Sequence, residues 1–409
     1  MYNMNFKDMF KDLKLKDFFI INSFIFCLFI NTISNYRTYS FILKGLSAIL
    51  CFGIIYWDNK NYTFTKLMKE KYLLIVLLAL VVLPTSSLLY SFNKTFGLYK
   101  IIQIIIGLIP VIILAYHFIL TLDSQRIRAA FISIYSISFV LAFVILIFNP
   151  FIPYEVYRFS FNRWSHVLIG RFLLAFTLII GFILINSKSN KTIIINTALL
   201  IVFNYSIYLT THRASILGLL IFYFLSIFIL GVKKQITRVS SIALILSLVI
   251  TIIVSLAFPP EVKQSENRII NLTKYDKNFG DDSPIFARIE SFNITKDIFF
   301  EHPLLGVGFG GFKYIHNNRT LGLDLEYAHN IFFEFQTELG IIGLLLFLIF
   351  ILFYLKGLYL LRWEYFVFFT VMLWLACFSK DIPSQGMFWV GIVLLARGLK
   401  ENPNRFSLF

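Results

Sequence analysis

Residues 239–258, with the sequence VSSIALILSLVITIIVSLAF, contain no charged side chain. A transmembrane helix needs about 20 predominantly apolar residues, so this stretch is long enough to cross a bilayer. Comparable apolar runs lie at about 18–34, 40–57, 72–91, 97–120, 129–149, 167–186, 192–210, 214–231, 331–355, 364–378 and 386–398. The last two are short and could form two tilted spans or one re-entrant element. The pattern predicts an all-α integral membrane protein with about 12 transmembrane helices.

The composition of the whole chain agrees with a membrane protein. Its 409 residues are 58% hydrophobic and 14% charged, whereas soluble domains are roughly 45–50% apolar and about 25% charged. These values exclude the disordered, collagen-like, nuclear and cytosolic classes. The three cysteines, Cys27, Cys51 and Cys377, lie inside apolar runs, so we expect neither a disulfide framework nor a metal cluster.

The positions of the basic residues explain the net charge of +15. Just over half of the 37 Lys and Arg residues lie in the N-terminal tail and in alternate loops, at 1–17, 58–71, 121–128, 187–191, 232–238, 356–363 and 397–409. The short loops on the other side hold only Arg37, Lys94, Arg158, Arg163, Arg213 and Lys380. Lys and Arg stay on the cytoplasmic side of a membrane. We therefore predict a multi-pass protein with both termini cytoplasmic, whose charge attracts membrane lipids and does not bind nucleic acid.

One loop on the predicted external face, residues 259–330, is much longer than the others and mostly polar. Long loops usually carry function. We therefore divide the chain into transmembrane helices 1–9 at 1–258, an external loop subdomain with active-site elements at 259–330, and transmembrane helices 10–12 with a cytoplasmic tail at 331–409.

Within this loop, Ser283-Pro284 predicts the start of a helix, because Ser caps free N–H groups and Pro fits the first helical position. His302-Pro303 predicts its end. We expect the helix to lie along the membrane surface. Arg288 lies beside its apolar face and is either a snorkelling surface arginine or a functional cation. The predicted apolar face consists of Ile285, Ile289, Phe292 and Phe299.

Residues 306–311, GVGFGG, match the G-x-G-x-x-G pattern of dinucleotide-binding units. That motif requires a strand before it and a helix after it within a βαβ unit. Here a predicted surface helix and a proline precede it, which argues against dinucleotide binding. We expect instead that Gly306 and Gly308 form a sharp turn whose backbone approaches another group, which could be a ligand.

Ala328-His329-Asn330 directly precedes the apolar run that begins at residue 331. His329 therefore lies at the external mouth of a predicted span, where an imidazole can accept a proton near neutral pH. Glu334 and Glu338 follow one and two helical turns later. Carboxylates inside a membrane mark function by default, although these two could instead face the loop or pair with a neighbouring Lys or Arg.

Several arginines lie at predicted external span ends. Arg213 begins a span next to His212, and Arg158 and Arg163 lie in the loop before the sixth run. Arg171 is expected inside that run, where a charge costs at least about 2.5 kcal/mol. Guanidinium groups match phosphate oxygens bidentately. Because nucleotides are scarce outside the cytoplasm, the natural candidate for the ligand is a lipid pyrophosphate.

The ordered set of motifs resembles the bacterial O-antigen ligase and O-antigen polymerase superfamily of membrane glycosyltransferases. The similarity covers about residues 190–345. One departure is that ligases often have an acid directly after the His-Asn pair, where this chain has Ile331, so Glu334 or Glu338 could serve instead. The motifs are Thr211-His212-Arg213-Ala214-Ser215, Ala287-Arg288, His302-Pro303-Leu304-Leu305-Gly306-Val307-Gly308, Ala328-His329-Asn330 and Glu338-Leu339-Gly340-Ile341-Ile342-Gly343.

The resemblance implies an enzyme that takes a glycan from undecaprenyl diphosphate on the external face of the bacterial inner (plasma) membrane. A ligase passes the glycan to a sugar hydroxyl of the lipid A core, and a polymerase passes it to another lipid-linked repeat unit. Neither uses a nucleotide sugar, a cofactor or a metal. By position, Arg213 and Arg288 would bind the pyrophosphate and His329 would act on the acceptor hydroxyl. Further substrate-binding candidates are Arg158, Arg163, Asn330, Glu338, Gly306 and Gly308.

Elementary chemistry leads to the same class of reaction. Displacing a sugar from pyrophosphate requires stabilisation of the leaving-group charge, which preorganised cations supply best in a site of low dielectric. A ligase is our first expectation and a polymerase the alternative. A transporter of lipid-linked oligosaccharide is a further alternative, but it would be expected to show related halves and a central cationic cavity. Residues 1–200 and 201–409 show no internal similarity.

Overall fold

The computed structural model describes residues 15–31, 38–67, 71–121, 124–148, 166–210, 212–235, 238–257, 284–319, 325–360, 363–378 and 382–391. These residues form helices and connecting turns, and no strand occurs among them. The all-α prediction is therefore confirmed for the described part of the chain.

The helices follow the apolar runs of the sequence. Those before the long loop 259–330 are α1 (Leu15–Asn31), α2 (Thr38–Leu67), α3 (Lys71–Ser87), α4 (Lys94–Gln103), α5 (Ile109–Leu120), α6 (Ser124–Phe148), α7 (His166–Asn186), α8 (Asn190–Leu209), α9 (Arg213–Val232) and α10 (Val239–Ala257). The loop contains α11 (Pro284–Glu301) and α12 (Gly311–Arg319), and α13 (Ile331–Leu360) and α14 (Trp363–Phe378) come after it. A 3₁₀ turn at Ile382–Ser384 and a helix at 386–391 end the described chain.

Seven helical segments within the described residues are long and apolar enough to cross a membrane, judged by length and composition. They identify an α-helical membrane protein, while the count of twelve spans stays a prediction. The seven segments are Phe41–Asp58, Lys94–Phe118, Ile169–Asn186, Asn190–Leu209, Arg213–Val232, Val239–Ala257 and Ile331–Leu352.

The segment Lys94–Phe118 is helical throughout but not uniformly α-helical. A π-helical segment at Ile104–Leu108 joins α4 to α5. Pro110 follows the π-helical segment and has no amide N–H, so it cannot donate a hydrogen bond to the helix. Such single-turn π segments are rare, and they often lie at functional sites. Here the segment begins one turn after Lys100.

Two of the apolar cores around which the helices pack share α14. The first core lies among α7, α8, α9 and α10 and buries Phe182, Phe203 and Phe222. The second lies among α3, α4, α5, α13 and the last described helix, and it buries Phe335 and Trp389. Val367 and Val371 of α14 belong to the first core, and its Phe369 belongs to the second. Opposite faces of one apolar helix therefore join the two groups of helices.

Helix α13 is interrupted near its start. Gly340 has φ +63° and ψ −152°, which is not helical. A Cβ atom at Gly340 would lie 2.5 Å from the backbone of Leu304, and the Ile341 amide donates to the Pro303 carbonyl at 2.8 Å. Glycine is needed here because a side chain would meet the backbone of Leu304. The first nine residues of α13 are thus a separate short helix that begins two residues after His329.

Candidate functional site

Helix α11 has the bounds that the sequence predicts, from Pro284 to Glu301. Its packed side differs from the predicted apolar face, because Ser291, Ile294 and Ile298 are buried against the protein. Ile289 and Phe292 are 37% and 48% exposed. A small residue such as Ser291 lets the helix approach its neighbours closely, whereas a bulky apolar residue there would hold it away. The predicted apolar face lies largely outward, and its contact with a membrane surface stays a prediction.

The glycine turn after α11 packs against protein backbone. Gly306 and Gly308 have φ +67° and +76°. A Cβ atom on Gly306 would lie 2.4 Å from the Thr337 carbonyl oxygen, and one on Gly308 would lie 2.4 Å from Cα of Ser91. The Val307 amide donates to the Thr337 carbonyl at 2.9 Å. One group that this turn approaches is therefore the chain itself, and the substrate-binding role expected for the two glycines stays a prediction.

The two carboxylates of α13 belong to a closed cluster. The Lys100 ammonium lies 2.5 Å from Glu334 Oε1 and 2.8 Å from Glu338 Oε2, and all three side chains are buried. Glu334 Oε2 also accepts a hydrogen bond from the Ile382 amide at 2.9 Å. Of the alternatives that the sequence leaves open, pairing with a neighbouring cation is the one observed. Glu338 thus pairs with Lys100 in the protein interior, and its assignment to substrate binding stays a prediction.

His329 has φ +54°, a left-handed conformation that is uncommon for a residue with a side chain. Its imidazole lies 4.5 Å from the Tyr327 ring, centroid to centroid. The next residue, Asn330, caps α13, since its Oδ1 accepts a hydrogen bond from the Phe332 amide at 2.9 Å. Both His329 and Asn330 are half-exposed. Sparsely populated backbone conformations that surrounding structure maintains are frequent at functional sites.

Helix α11 brings Arg288 to the same segment. One turn after Arg288, Ser291 Oγ donates a hydrogen bond to the Ala328 carbonyl at 3.2 Å. Partial burial lowers the pKa of the Arg288 guanidinium from its ordinary value, and the nearby Tyr327 hydroxyl opposes the shift. An arginine with a lowered pKa is still protonated at neutral pH. Arg288 is therefore a cation beside the segment that carries His329.

Arg213 is the first residue of α9 and is half-exposed. The residue before it, His212, is buried, and its Nδ1 lies 2.6 Å from Ser215 Oγ. A Cβ atom on Gly170 of α7 would lie 3.1 Å from His212 Cβ, so α7 and the start of α9 are in close contact. This contact sets Arg213 beside the part of α7 that carries Arg171.

Arg171 is buried in α7. Its Nη2 donates to the Leu375 carbonyl at 2.7 Å, and its Nη1 donates to Gln385 Oε1 at 3.3 Å. The neighbouring residue Trp374 donates its indole N–H to the Ala214 carbonyl at 3.2 Å. Two adjacent residues of α14 thus contact both Arg171 and the start of α9. The expectation that Arg171 lies inside a helical run is confirmed.

Sequence reasoning missed three residues near these motifs: Lys100, Tyr327 and Gln385. Lys100 could have been found, because a lysine inside the apolar run 97–120 is costly and requires a partner. Tyr327 and Gln385 carry no comparable signal. Arg158 and Arg163 lie outside the described residues. No group of three or more His, Cys, Asp or Glu side chains that could hold a metal ion occurs in the part of the chain that the structure describes.

Comparison with known families matches residues 197–348 to the family described as O-antigen ligase. The match extends from α8 to the first half of α13 and contains Arg213, Arg288 and His329. It confirms the resemblance to the O-antigen ligase and polymerase superfamily over this segment. A search of curated proteins returns no significant match.

Proposed function

Taking the match to the O-antigen ligase family over residues 197–348 as a premise, we propose that the protein is a glycosyltransferase. It would move a glycan from a polyprenyl diphosphate to a hydroxyl group of an acceptor. One observation carries the proposal: the helix that bears Arg288 is hydrogen-bonded, through Ser291 and Ala328, to the segment that bears His329. The hydrogen bond thereby holds two backbone segments together. One carries a cation that could stabilise a leaving diphosphate, and the other carries a base that could accept the proton of a hydroxyl group.

In the proposed reaction the acceptor oxygen attacks the anomeric carbon of the donor sugar. A new glycosidic bond forms there, and the bond between that carbon and the diphosphate oxygen breaks. The acceptor proton passes to an imidazole nitrogen of His329, which acts as the general base. The electron pair of the broken bond stays on the diphosphate, whose negative charge Arg288 and Arg213 would stabilise. Asn330 would keep the base in place by capping α13.

The donor is proposed to be an undecaprenyl-diphosphate-linked glycan, and the acceptor a sugar of the lipid A core. A second possibility is a polymerase that joins lipid-linked repeat units. The glycan of a strain that lacks this protein distinguishes the two. Core without any O-chain, together with accumulated lipid-linked polymer, supports the ligase. A single repeat unit on the core supports the polymerase, and an unchanged glycan contradicts both.

The same proposal requires the site to face the external side of the inner membrane, with both termini in the cytoplasm. An impermeant thiol reagent should label a cysteine introduced at Asn278 in intact cells or spheroplasts. The reagent should not label a cysteine introduced at Asn61, because that position belongs to the predicted cytoplasmic side. The reverse pattern of labelling would contradict the orientation and with it the external site.

A further inference from the structure

Two serines at the end of α3 hold the glycine turn, residues 306–311, through hydrogen bonds that the proposed function does not use. Ser91 Oγ donates a hydrogen bond to the Phe309 carbonyl at 2.9 Å, and the Phe309 amide donates to Ser87 Oγ at 2.9 Å. Both serines and Phe309 are buried. The two hydroxyls therefore satisfy both backbone groups of one buried residue, which would otherwise be costly to leave without partners.

The same two parts of the chain meet closely, backbone against backbone. A Cβ atom on Gly97, in the first turn of α4, would lie 2.1 Å from the Phe309 carbonyl oxygen. A Cβ atom on Gly310 would lie 2.4 Å from the Gly97 amide nitrogen, and Gly310 has φ +84°. Glycine at both positions permits this approach. The connection between α3 and α4 therefore fixes the position of the glycine turn.

Val307 extends this fixed position to α13. Its carbonyl accepts a hydrogen bond from the Phe92 amide at 3.1 Å, and its own amide donates to the Thr337 carbonyl at 2.9 Å. Val307 is fully buried. One residue of the glycine turn thus joins the connection between α3 and α4 to the short helix, the first nine residues of α13.

The short helix carries the cap next to the candidate base. Asn330 caps this helix and directly follows His329. The interruption at Gly340 separates the short helix from the rest of α13, so its position depends on contacts of its own, among them the one between Thr337 and Val307. A shift of the short helix would move His329 with it along continuous backbone. A misplacement of about 1 Å can reduce the rate of a reaction about 10²-fold.

We propose that Ser87 and Ser91 are positioning residues for the transfer reaction. By binding both backbone groups of Phe309 they hold the glycine turn, which in turn holds the short helix and with it the imidazole of His329. The inference rests on the proposed glycosyl transfer and deepens it. It assigns a part in the reaction to residues that lie outside the family match at 197–348.

Removing either hydroxyl tests the proposal. Ser87→Ala and Ser91→Ala each leave one backbone group of Phe309 without the hydrogen bond that it now makes. We expect kcat to fall about 3- to 30-fold in each variant, while the KM for the donor stays within about 2-fold of the wild type. The donor is an undecaprenyl-diphosphate-linked repeat unit, and the acceptor is lipid A core or a second such unit.

Ser86 provides a matched control in the same helix. It is exposed, and its hydroxyl donates to the Leu83 carbonyl of its own helix at 2.9 Å. Ser86→Ala is the same chemical change one residue away from Ser87, without a contact to the glycine turn. It should transfer glycan with the wild-type kcat and KM.

The same substitutions in a protein that lacks the base separate positioning from a loss of folded protein. In the His329→Asn background the group that the serines position is absent. Ser87→Ala and Ser91→Ala should therefore change the residual rate by less than about 2-fold there, since two changes that act through one group are not additive. A loss of folded protein would instead lower the rate by the same factor in both backgrounds, and that result would overturn the inference.

Two further outcomes distinguish this inference from the function on which it rests. An unchanged kcat in both serine variants, beside an active wild type, would overturn the inference and leave the proposed function intact. A wild-type protein that transfers no glycan from the lipid-linked donor would overturn the proposed function, and this inference with it.

Discussion

Two polar groups meet along residues 327–338, and they differ in burial and in the pairing of their charges. Tyr327, His329 and Asn330 are half-exposed, and Arg288 beside them is exposed. Glu334 and Glu338, one and two turns later, are buried against Lys100. In the second group each charge meets an opposite charge. The first group contains a cation and an imidazole, and its residues are at most partly buried.

This difference shows that a polar residue in a membrane domain does not by itself indicate a catalytic or binding role. Buried charges are tolerated when they are paired and hydrogen-bonded, and the Lys100 cluster meets that condition within the protein. Its contacts hold α4, α13 and the Ile382–Ser384 turn together. We therefore interpret the exposed group as the reactive one and the buried group as its support, and each prediction below tests that division.

The largest effect is expected from His329. His329→Asn removes the base but keeps a residue that tolerates a positive φ. We expect expression and membrane insertion to be retained while glycan transfer falls about 10²- to 10⁴-fold. The remaining rate should no longer decline in acid, because the imidazole that becomes protonated there is absent. Transfer by purified protein between pH 5 and 8, on the order of the range in which His titrates, measures this.

His302 provides the control for this experiment. It directly follows α11, and its ring packs on Phe92 at 5.4 Å. His302→Asn should transfer glycan at close to the normal rate and keep the acid decline. Near-normal turnover by His329→Asn would remove the base role and leave positioning and the arginines as the source of catalysis.

Arg288 should have the next largest effect. Arg288→Lys keeps a charge but loses the planar pair of donors that fits a diphosphate. Loss of a contact to the leaving group should reduce the transfer rate about 10²- to 10³-fold. Arg319→Lys is a suitable control, because Arg319 pairs with Glu301 at 2.6 Å on the protein surface. Normal rates for both Arg288→Lys and Arg288→Ala, at normal expression, would exclude an anion site at this position.

The buried cluster should respond through stability. Lys100→Met leaves two facing carboxylates without their shared ammonium, which should cost about 3–5 kcal/mol of unfolding free energy. Adding Glu334→Gln and Glu338→Gln to Lys100→Met removes the charges together and should recover most of that loss. Thermal unfolding in detergent compares the single and triple variants. A single variant as stable as the wild type would refute the supporting role of the cluster.

The glycine turn should give the smallest effect. Gly306→Ala places a Cβ atom 2.4 Å from the Thr337 carbonyl oxygen at φ +67°, and we expect it to cost about 1–3 kcal/mol of stability. Gly53 lies within α2, where a Cβ atom would meet nothing within 4 Å. Gly53→Ala should be neutral or stabilising by up to about 1 kcal/mol. Equal unfolding temperatures for the two variants would contradict the backbone packing described for the turn.

The features that could be predicted from the sequence are those that local patterns determine. The ends of α11 follow from Ser283-Pro284 and His302-Pro303, which act on their own neighbours. The order of Arg213, Arg288 and His329 could be compared with that of a known family, because the order of residues is part of the sequence itself.

Long-range partners could not be predicted in this way. Lys100 pairs with carboxylates more than 230 residues away, and no periodicity encodes that distance. The face of α11 that packs against the protein, with Ser291, Ile294 and Ile298, also has no clear signal, because apolarity alone does not decide between protein and lipid as the neighbour.

The π-helical segment Ile104–Leu108 contains one residue more than an α-helical turn would, and no substitution elsewhere could replace that residue if it were lost. Each residue of an α-helix advances the next by about 100°, and a π turn holds one residue more than an α turn. Deleting a single residue there would turn α4 by roughly a quarter-rotation relative to α5 and swing Lys100 away from Glu334 and Glu338. Relatives that have lost this residue should therefore have lost the lysine and both carboxylates together. A deletion in the helix that carries Lys100 would then coincide with the absence of both carboxylates from α13.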